Sequence, residues 1–435
     1  MVHILWFWSP LAASWVLMML AGPLVNAVVA RMPDARLNLA ALGIALSLTT
    51  LVQSPVIGLL TVSLTLARDQ SSLHRLTRFS LAMLLLVTVI MVVIMLPPVY
   101  DLLVLRWMGA PVEVATRARP ALLATLLLPA AIGYRRFCQG LMIQGGLTRQ
   151  VTALALIRLA VITVMIMAAW SWGGVDGATA GALVLGAGSV LDALLAHVMS
   201  RPAVRQVERA AMVEESPPPD LSSVIRFYWP LMITSMVWLW SPTLINVGLT
   251  RCPYPIESLA VWPVVNNQVF LASSFGFSFL EAVIALLKEP GYGRALGRFS
   301  LMLAALSAGM VALIAYTPLV TWWLQEIAGL DSELTQFAIP ALRLSVLVPA
   351  LTVALSWWRG LIVRSQATGA LGEATLISLV VLAVLVWLIT VAGNLAGASM
   401  AALAITVARL VETVWLGYRA RSLQQVTLRA GYVDS

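Results

Sequence analysis

Charge is scarce in this 435-residue chain. Asp, Glu, Lys and Arg together make up 11% of it beside 60% hydrophobic residues, less than half the charged share that a water-facing surface normally carries. A soluble globular domain is excluded, and an integral membrane protein follows. Lysine is nearly missing: Lys288 is the only one and is followed by Glu289, so the chain has no Walker-type phosphate loop. An ATP-driven pump with its own nucleotide site is excluded with it. The three histidines, His3, His74 and His197, stand far apart and suggest no metal triad. The two cysteines, Cys138 and Cys252, give neither a disulfide framework nor a metal cluster. No nucleophile and base are spaced one helical turn apart within an apolar run, so an enzyme is not expected. No cofactor is expected either.

The hydrophobic residues fall into runs of 20 or more, each long enough to cross about 30 Å of hydrocarbon as a helix. Six are expected over 6–30, 38–67, 79–106, 119–143, 151–171 and 176–199. Six more follow over 226–250, 258–287, 299–326, 337–363, 372–392 and 396–417. The second set repeats the first at a shift of 220 residues without a gap. In that register Pro10, Pro33, Pro98, Pro120 and Pro129 fall on Pro230, Pro253, Pro318, Pro340 and Pro349, far more coincidences than chance supplies. Asn26 meets Asn246, Gly140 meets Gly360, and Asp192 meets Glu412. The fold class is therefore an all-α polytopic membrane protein, with twelve transmembrane helices in two tandem six-helix lobes. The expected lobes are 1–200 and 226–435, the latter with a short cytoplasmic tail, joined by a polar linker at 201–225 that carries Pro217, Pro218 and Pro219.

Six spans per repeat is an even number, so both repeats enter the membrane from one side and are related by an axis along its normal. Arg68, Arg75 and Arg78 in one short loop, Lys288, Arg294 and Arg298 in its repeat mate, and Arg201, Arg205 and Arg209 in the linker gather on one face. The positive-inside rule makes that face, the linker and both termini cytoplasmic, in a bacterial inner membrane. The net charge of +8 then reflects topology. Its arginines are scattered over short loops and form no groove for nucleic acid. The N-terminus has no basic stretch ahead of the first span, so no cleaved signal is expected.

Ionisable residues inside the spans are costly and mark function. Arg135, Arg136, Arg359 and Glu373 lie within two turns of a cytoplasmic loop and are expected to snorkel. Glu281, Arg343 and Glu412 lie deeper and are expected at a water-filled cavity or in pairs. Positions at which the two repeats differ are the better site candidates, because one substrate on a pseudo-two-fold axis needs no symmetric clamp. Glu281 stands opposite Thr61, Arg343 opposite Leu123, and Arg158 opposite Ser378. Asn266, Asn267 and Gln268, opposite Leu46, Ser47 and Leu48, put three hydrogen-bonding side chains into one helical turn. The candidate substrate residues are Arg343, Asn246, Asn267, Gln268 and Arg158. The candidate coupling or partner charges are Glu281, Glu412 and Asp192, and none is a metal ligand.

Trp229-Pro230-Leu231 with Asn246 and Arg251 is similar in type and spacing to the start of the second half of the progressive ankylosis transporters. Leu342-Arg343 with Pro349, Gly360 and Thr368 resembles the same family, as do Gly397-Ala398 with Glu412 and Leu39-Ala40 with Gly43, Ala45 and Ser47-Leu48. The resemblance implies the fold of the multidrug, oligosaccharidyl-lipid and polysaccharide (MOP) exporter superfamily: two six-helix lobes around a central cleft, working by alternating access. It further implies a secondary exporter of a small anion such as citrate, pyrophosphate or a nucleotide, with Arg343 matching an arginine of the family's tenth helix. A proton or sodium ion is the expected coupling partner. Leu239 and Ser241 stand where that family carries further arginines. A cation-coupled drug antiporter, using Trp238, Trp240, Trp357 and Trp358 as walls, and a flippase for lipid-linked oligosaccharide remain as alternatives. The first helix lacks the acidic residue that many drug antiporters use for coupling.

Overall fold

A computed structural model describes residues 2–209, 221–287, 292–364, 369–393 and 395–430. Linker residues 210–220, Lys288 and the tail from 431 onward lie outside the described residues. Every regular element among those described is helical, as hydrocarbon requires, because a helix satisfies its own backbone polar groups. The first repeat contributes α1 (Val2–Met19), α2 (Ala21–Val29), α3 (Ala35–Gln53), α4 (Leu59–Leu66), α5 (Gln70–Met95), the short α6 (Pro97–Tyr100), α7 (Val112–Ala124), α8 (Leu128–Gln144), α9 (Thr148–Trp172) and α10 (Gly177–Arg209). The second repeat contributes α11 (Leu221–Leu239), α12 (Ser241–Leu249), α13 (Pro255–Leu286), α14 (Tyr292–Tyr316), α15 (Leu319–Trp322), α16 (Ser332–Leu344), α17 (Leu347–Arg364), α18 (Gly369–Ala392) and α19 (Gly397–Ala430). Among the described residues, eleven helical stretches are long and apolar enough to cross a membrane. The pair α11–α12 is the repeat mate of the bent first span α1–α2.

The third span of each repeat differs from expectation. In place of 79–106 and 299–326, the helices run over 70–95 and 292–316, so Arg75, Arg78, Arg294 and Arg298 are helical and not in loops. The early start of α5 comes from Asp69: its carboxylate accepts from the Ser72 backbone N–H at 2.7 Å, while the Ser72 hydroxyl caps the Asp69 N–H at 3.0 Å. That reciprocal box satisfies two orphan donors. Pro97–Pro98 and Pro318 end the spans, since proline cannot continue the hydrogen-bond ladder. Beyond them each repeat forms a π-helical turn, over Asp101–Trp107 and Trp323–Ile327. Gly109 at φ 71° and Gly329 at φ 79° stop these turns in a left-handed conformation open to glycine.

The two compact units are not the two covalent repeats. Residues 28–250 form the first unit, and residues 1–27 with 251–435 form the second. The lobe boundary expected at the linker thus falls instead at 27/28 and 250/251. The physical reason is an exchange of first helices: α1 packs on α13, and α11 packs on the turn at 54–58. Matching side chains carry the exchange. Trp8 sits edge-on to Phe299 at 5.5 Å and donates to the Ser278 hydroxyl at 2.9 Å. Its mate Tyr228 sits edge-on to Phe79 at 5.2 Å and donates to the Pro55 carbonyl. The linker expected at 201–225 is helical at both ends, since α10 runs to Arg209 and α11 begins at Leu221, and both helices belong to the first unit.

The chain passes between units at 27/28, inside α2, and at 250/251, just past α12, and the short loop that follows each passage is clasped at the same repeat positions. In the first unit Asp34 has φ 55° and accepts from Arg117 Nη2 at 2.5 Å, while Arg117 Nη1 donates to Asn38 Oδ1 at 3.2 Å. In the second unit Tyr254 has φ 57° and packs on Phe337 at 5.3 Å between ring centroids. Positions 34 and 254 are repeat mates, as are 117 and 337. An ion pair has become an aromatic contact in the same place.

Candidate functional site

Each unit holds its acidic mate in a buried charge cluster. In the first unit α10 carries Asp192, 2% exposed, in a helix rich in Gly and Ala that packs closely on α8 and α9. Arg135 of α8, 7% exposed, brings its Nε to 3.1 Å from Asp192 Oδ2, and Arg158 of α9 brings its Nε to 3.8 Å from the same oxygen. Arg136 lies within electrostatic reach of both Arg158 and Asp192. Arg135 stands nine residues before the end of α8, which closes the apolar stretch Val112–Gln144, and Arg158 ten residues after the start of α9, so both lie about 13 to 15 Å along the axis from the α8–α9 turn, near mid-membrane. Arg135 therefore does not snorkel as expected; it turns inward to the carboxylate.

This cluster is unfinished. Two guanidinium groups contact one carboxylate and a third lies within electrostatic reach, a surplus of two positive charges. Arg136 Nε, Arg158 Nε and both Asp192 oxygens lack a hydrogen-bond partner among the described residues, although buried polar atoms almost always have one. Asp192 is also the only acidic residue inside the apolar spans of this unit: Asp34, Asp69, Asp101, Glu113 and Asp176 lie at helix ends or between spans, and Glu208 lies near the end of α10. Among the described residues no other carboxylate lies within the unit's apolar spans to offset the arginines. The arrangement can attract an anion into a region of low dielectric.

The second unit carries the closed counterpart. Glu412 of α19, 1% exposed, accepts from Arg359 of α17 through Oε1, and from Arg409 through Oε2 at 3.2 Å. Arg359 is thus in a pair and not a snorkelling residue. The fourth arginine-or-acid residue expected at the interface, Glu373, does lie at the surface, bonded to Arg419 at 2.6 Å with both side chains well exposed.

The remaining candidates are dispersed. Arg343 is exposed; its Nε donates to the Ala315 carbonyl at 3.1 Å and its guanidinium lies 5.5 Å from the Tyr316 ring centroid, so it caps the end of α14. Glu281 is exposed and accepts from Trp15 Nε1 at 3.0 Å. Asn246 is buried on the seam of α12 with α3, donating to the Gly43 carbonyl at 3.2 Å. Asn267 lies against Gly22, where an added Cβ would come within 2.9 Å of its Nδ2. Gln268 is 7% exposed, with neither amide atom partnered among the described residues. Only Arg158 and Asp192 of the candidate set come together. Among the described residues no three His, Cys, Asp or Glu side chains group as metal ligands.

No family model and no curated protein matches the chain by sequence. Solved structures do match it over nearly its whole length. A multidrug resistance MATE family transporter of the MOP superfamily, in an inward-facing conformation, matches at TM-score 0.68 and 16% identity, covering 94% of this chain and 96% of its own. The lipid II flippase MurJ matches at TM-score 0.71 and 13% identity, over 94% of this chain and 87% of its own. A MOP superfamily transporter from Pyrococcus furiosus, described as having a binding pocket of reverse polarity, matches at TM-score 0.62 and 16% identity, over 95% of both chains. The fold is that of the MOP superfamily transporters. The narrower progressive ankylosis likeness is not among these structural matches.

Proposed function

We propose that the protein is a secondary exporter working by alternating access, and that its substrate carries an anionic group bound at Arg135, Arg136 and Arg158. The observation that carries this reading is the surplus of arginine over carboxylate at membrane depth in the first unit, with buried polar atoms left unpartnered. An organic cation would be repelled there, which weighs against a drug antiporter. Citrate, pyrophosphate or a nucleotide would supply the missing negative charge. Of the candidate set, Arg158 serves the substrate and Asp192 holds the arginines in place. Glu281 is the candidate coupling carboxylate for a proton or sodium ion, because it is exposed and held by Trp15. The cytoplasmic face is the linker face, in a bacterial inner membrane.

A second reading, a flippase, is favoured by the fold shared with a lipid II flippase; a lipid with an anionic head would present the same group to the arginines. Counterflow in sealed proteoliposomes tests the first reading, comparing labelled citrate, pyrophosphate and a nucleotide with an organic cation. Saturable anion exchange that falls at least about tenfold in Arg158→Gln is expected, as loss of a charge-assisted contact predicts. Exchange of the cation instead, or anion exchange unaffected by the substitution, would refute it.

A further inference from the structure

The duplication gives the arginine cluster an internal control. Asp192 and Glu412 occupy the same repeat position, yet their arginines do not. Arg135, Arg136 and Arg158 stand opposite Leu355, Ser356 and Ser378, while Arg359 and Arg409 stand opposite Gln139 and Ser189. The two sets were therefore placed independently of the fold they share, around one inherited acid.

What each set achieves differs. In the second unit each Glu412 oxygen has its own arginine, and the uncharged mates bond locally: Ser356 to the Thr352 carbonyl at 2.9 Å and Ser378 to the Ala408 carbonyl at 3.3 Å. That cluster is complete without a ligand. In the first unit the third arginine, Arg136, has no carboxylate of its own, and both oxygens of Asp192 still lack a hydrogen bond among the described residues. A helix-to-helix tie needs only the arginine pair that the second unit shows. Arg136 is in excess of that need.

On the reading that this cluster binds an anionic substrate, we infer that the first unit selects a compact dianionic group, with Arg136 as the residue that sets the preference for two negative charges over one. A surplus of two positive charges is neutralised by a dicarboxylate or a phosphate monoester and left half open by a monocarboxylate. Guanidinium forks suit the planar or tetrahedral oxygen sets of both groups. The group can be borne by a soluble molecule or by a lipid headgroup.

The test is ligand-induced thermal stabilisation of the full chain, purified in detergent, at pH 7.5 and constant ionic strength. Malonate and inorganic phosphate are the soluble dianion probes, and acetate is the monoanion. Bilayer nanodiscs containing phosphatidic acid or phosphatidylglycerol compare lipid-borne groups of the two charges. Half-maximal stabilisation is expected at a malonate concentration at least about tenfold below that of acetate, the direction that charge matching in a low dielectric sets. Arg136→Gln should remove that gap by weakening malonate alone, and Arg136→Lys, which keeps the charge, should retain it. Preference for phosphatidic acid with no effect of malonate would support the same chemistry on a lipid source. Equal response to malonate and acetate in the unmodified protein, or an unchanged gap in Arg136→Gln, would overturn the dianion inference while leaving anion transport standing. No response to any anion, soluble or lipid-borne, would overturn both.

Discussion

Glu412→Gln should be among the most damaging single substitutions in the second unit, by an amount the geometry sets. The carboxylate is buried and accepts from two arginines on different helices, Arg359 on α17 and Arg409 on its own helix. Arg409 lies twelve residues from the start of α19, about 18 Å along the axis, too far for its side chain to snorkel out. Neutralising Glu412 leaves Arg409 as an unpaired charge near mid-membrane, which costs about 2.5 to 3.5 kcal/mol on insertion scales. Breaking a buried ion pair by removing one partner gives a similar figure, about 3 to 5 kcal/mol. Arg359 is better placed, five residues from the end of α17, or about 8 Å, so its charge can move toward the interface. A loss of about 3 kcal/mol lowers the folded-to-unfolded ratio about a hundredfold. Titration with sodium dodecyl sulfate in mixed micelles, followed by tryptophan fluorescence, measures it. The double variant Glu412→Gln with Arg409→Gln should recover at least about 2 kcal/mol of that loss, because it removes the orphaned charge as well. A single-variant cost below about 1 kcal/mol, or a double variant worse than either single, would show that Glu412 does not hold the arginines in the fold.

Two further outcomes follow from close contacts and burial. Gly140 and Gly360 are repeat mates, but an added Cβ at Gly140 would meet the Leu60 carbonyl oxygen at 2.4 Å and Ser63 Oγ at 1.9 Å, whereas at Gly360 it would meet only the Val283 side chain, at 2.2 Å. Gly360→Ala should cost about 1 to 3 kcal/mol through overpacking and Gly140→Ala more, in the same detergent titration; equal costs would mean that α4 shifts freely against α8. Burial pushes the Cys252 thiol above its ordinary range, so the reactive thiolate is scarcer at a given pH below that raised value. In a Cys138→Ser background, maleimide labelling at pH 8 should be slower than for a free thiol of ordinary pKa near 8.5; labelling at the free rate would contradict the burial seen here.

Much of this architecture was legible in sequence because the duplication made each half a check on the other. The proline and glycine coincidences fixed the register, and that register picked out Asp192 and Glu412 as a recurring acid at membrane depth. The arginines that serve them were harder to see. Arg135 and Arg359 look alike by distance from a loop, and both suggest snorkelling; only the packing of α10 on α8, and of α19 on α17, turns them inward to a carboxylate. Arg343 looked deep along its helix, which says nothing about which side of the helix faces out. Helix ends were misplaced where capping decided them, as at Asp69, and where prolines cut an apolar run at Pro97 and Pro318. The exchange of α1 and α11 left no local signal, since either partner helix offers a similar apolar face.

That exchange changes where the chain crosses from one unit to the other. The polar stretch expected to join the halves is flanked by α10 and α11, both in the first unit, so it does not run between the units. The only covalent passages between them are at 27/28 and 250/251, each continued by a short loop before the next span. Both loops contain a non-glycine residue in the left-handed region, Asp34 and Tyr254, a conformation that persists only where surrounding contacts fix it. The contacts differ in kind. The Arg117–Asp34 pair is partly exposed and weakened by salt, whereas the Tyr254–Phe337 contact is apolar. Duplication thus left the same loop position clasped in both units, and divergence made one clasp an ion pair that salt weakens and the other an apolar contact.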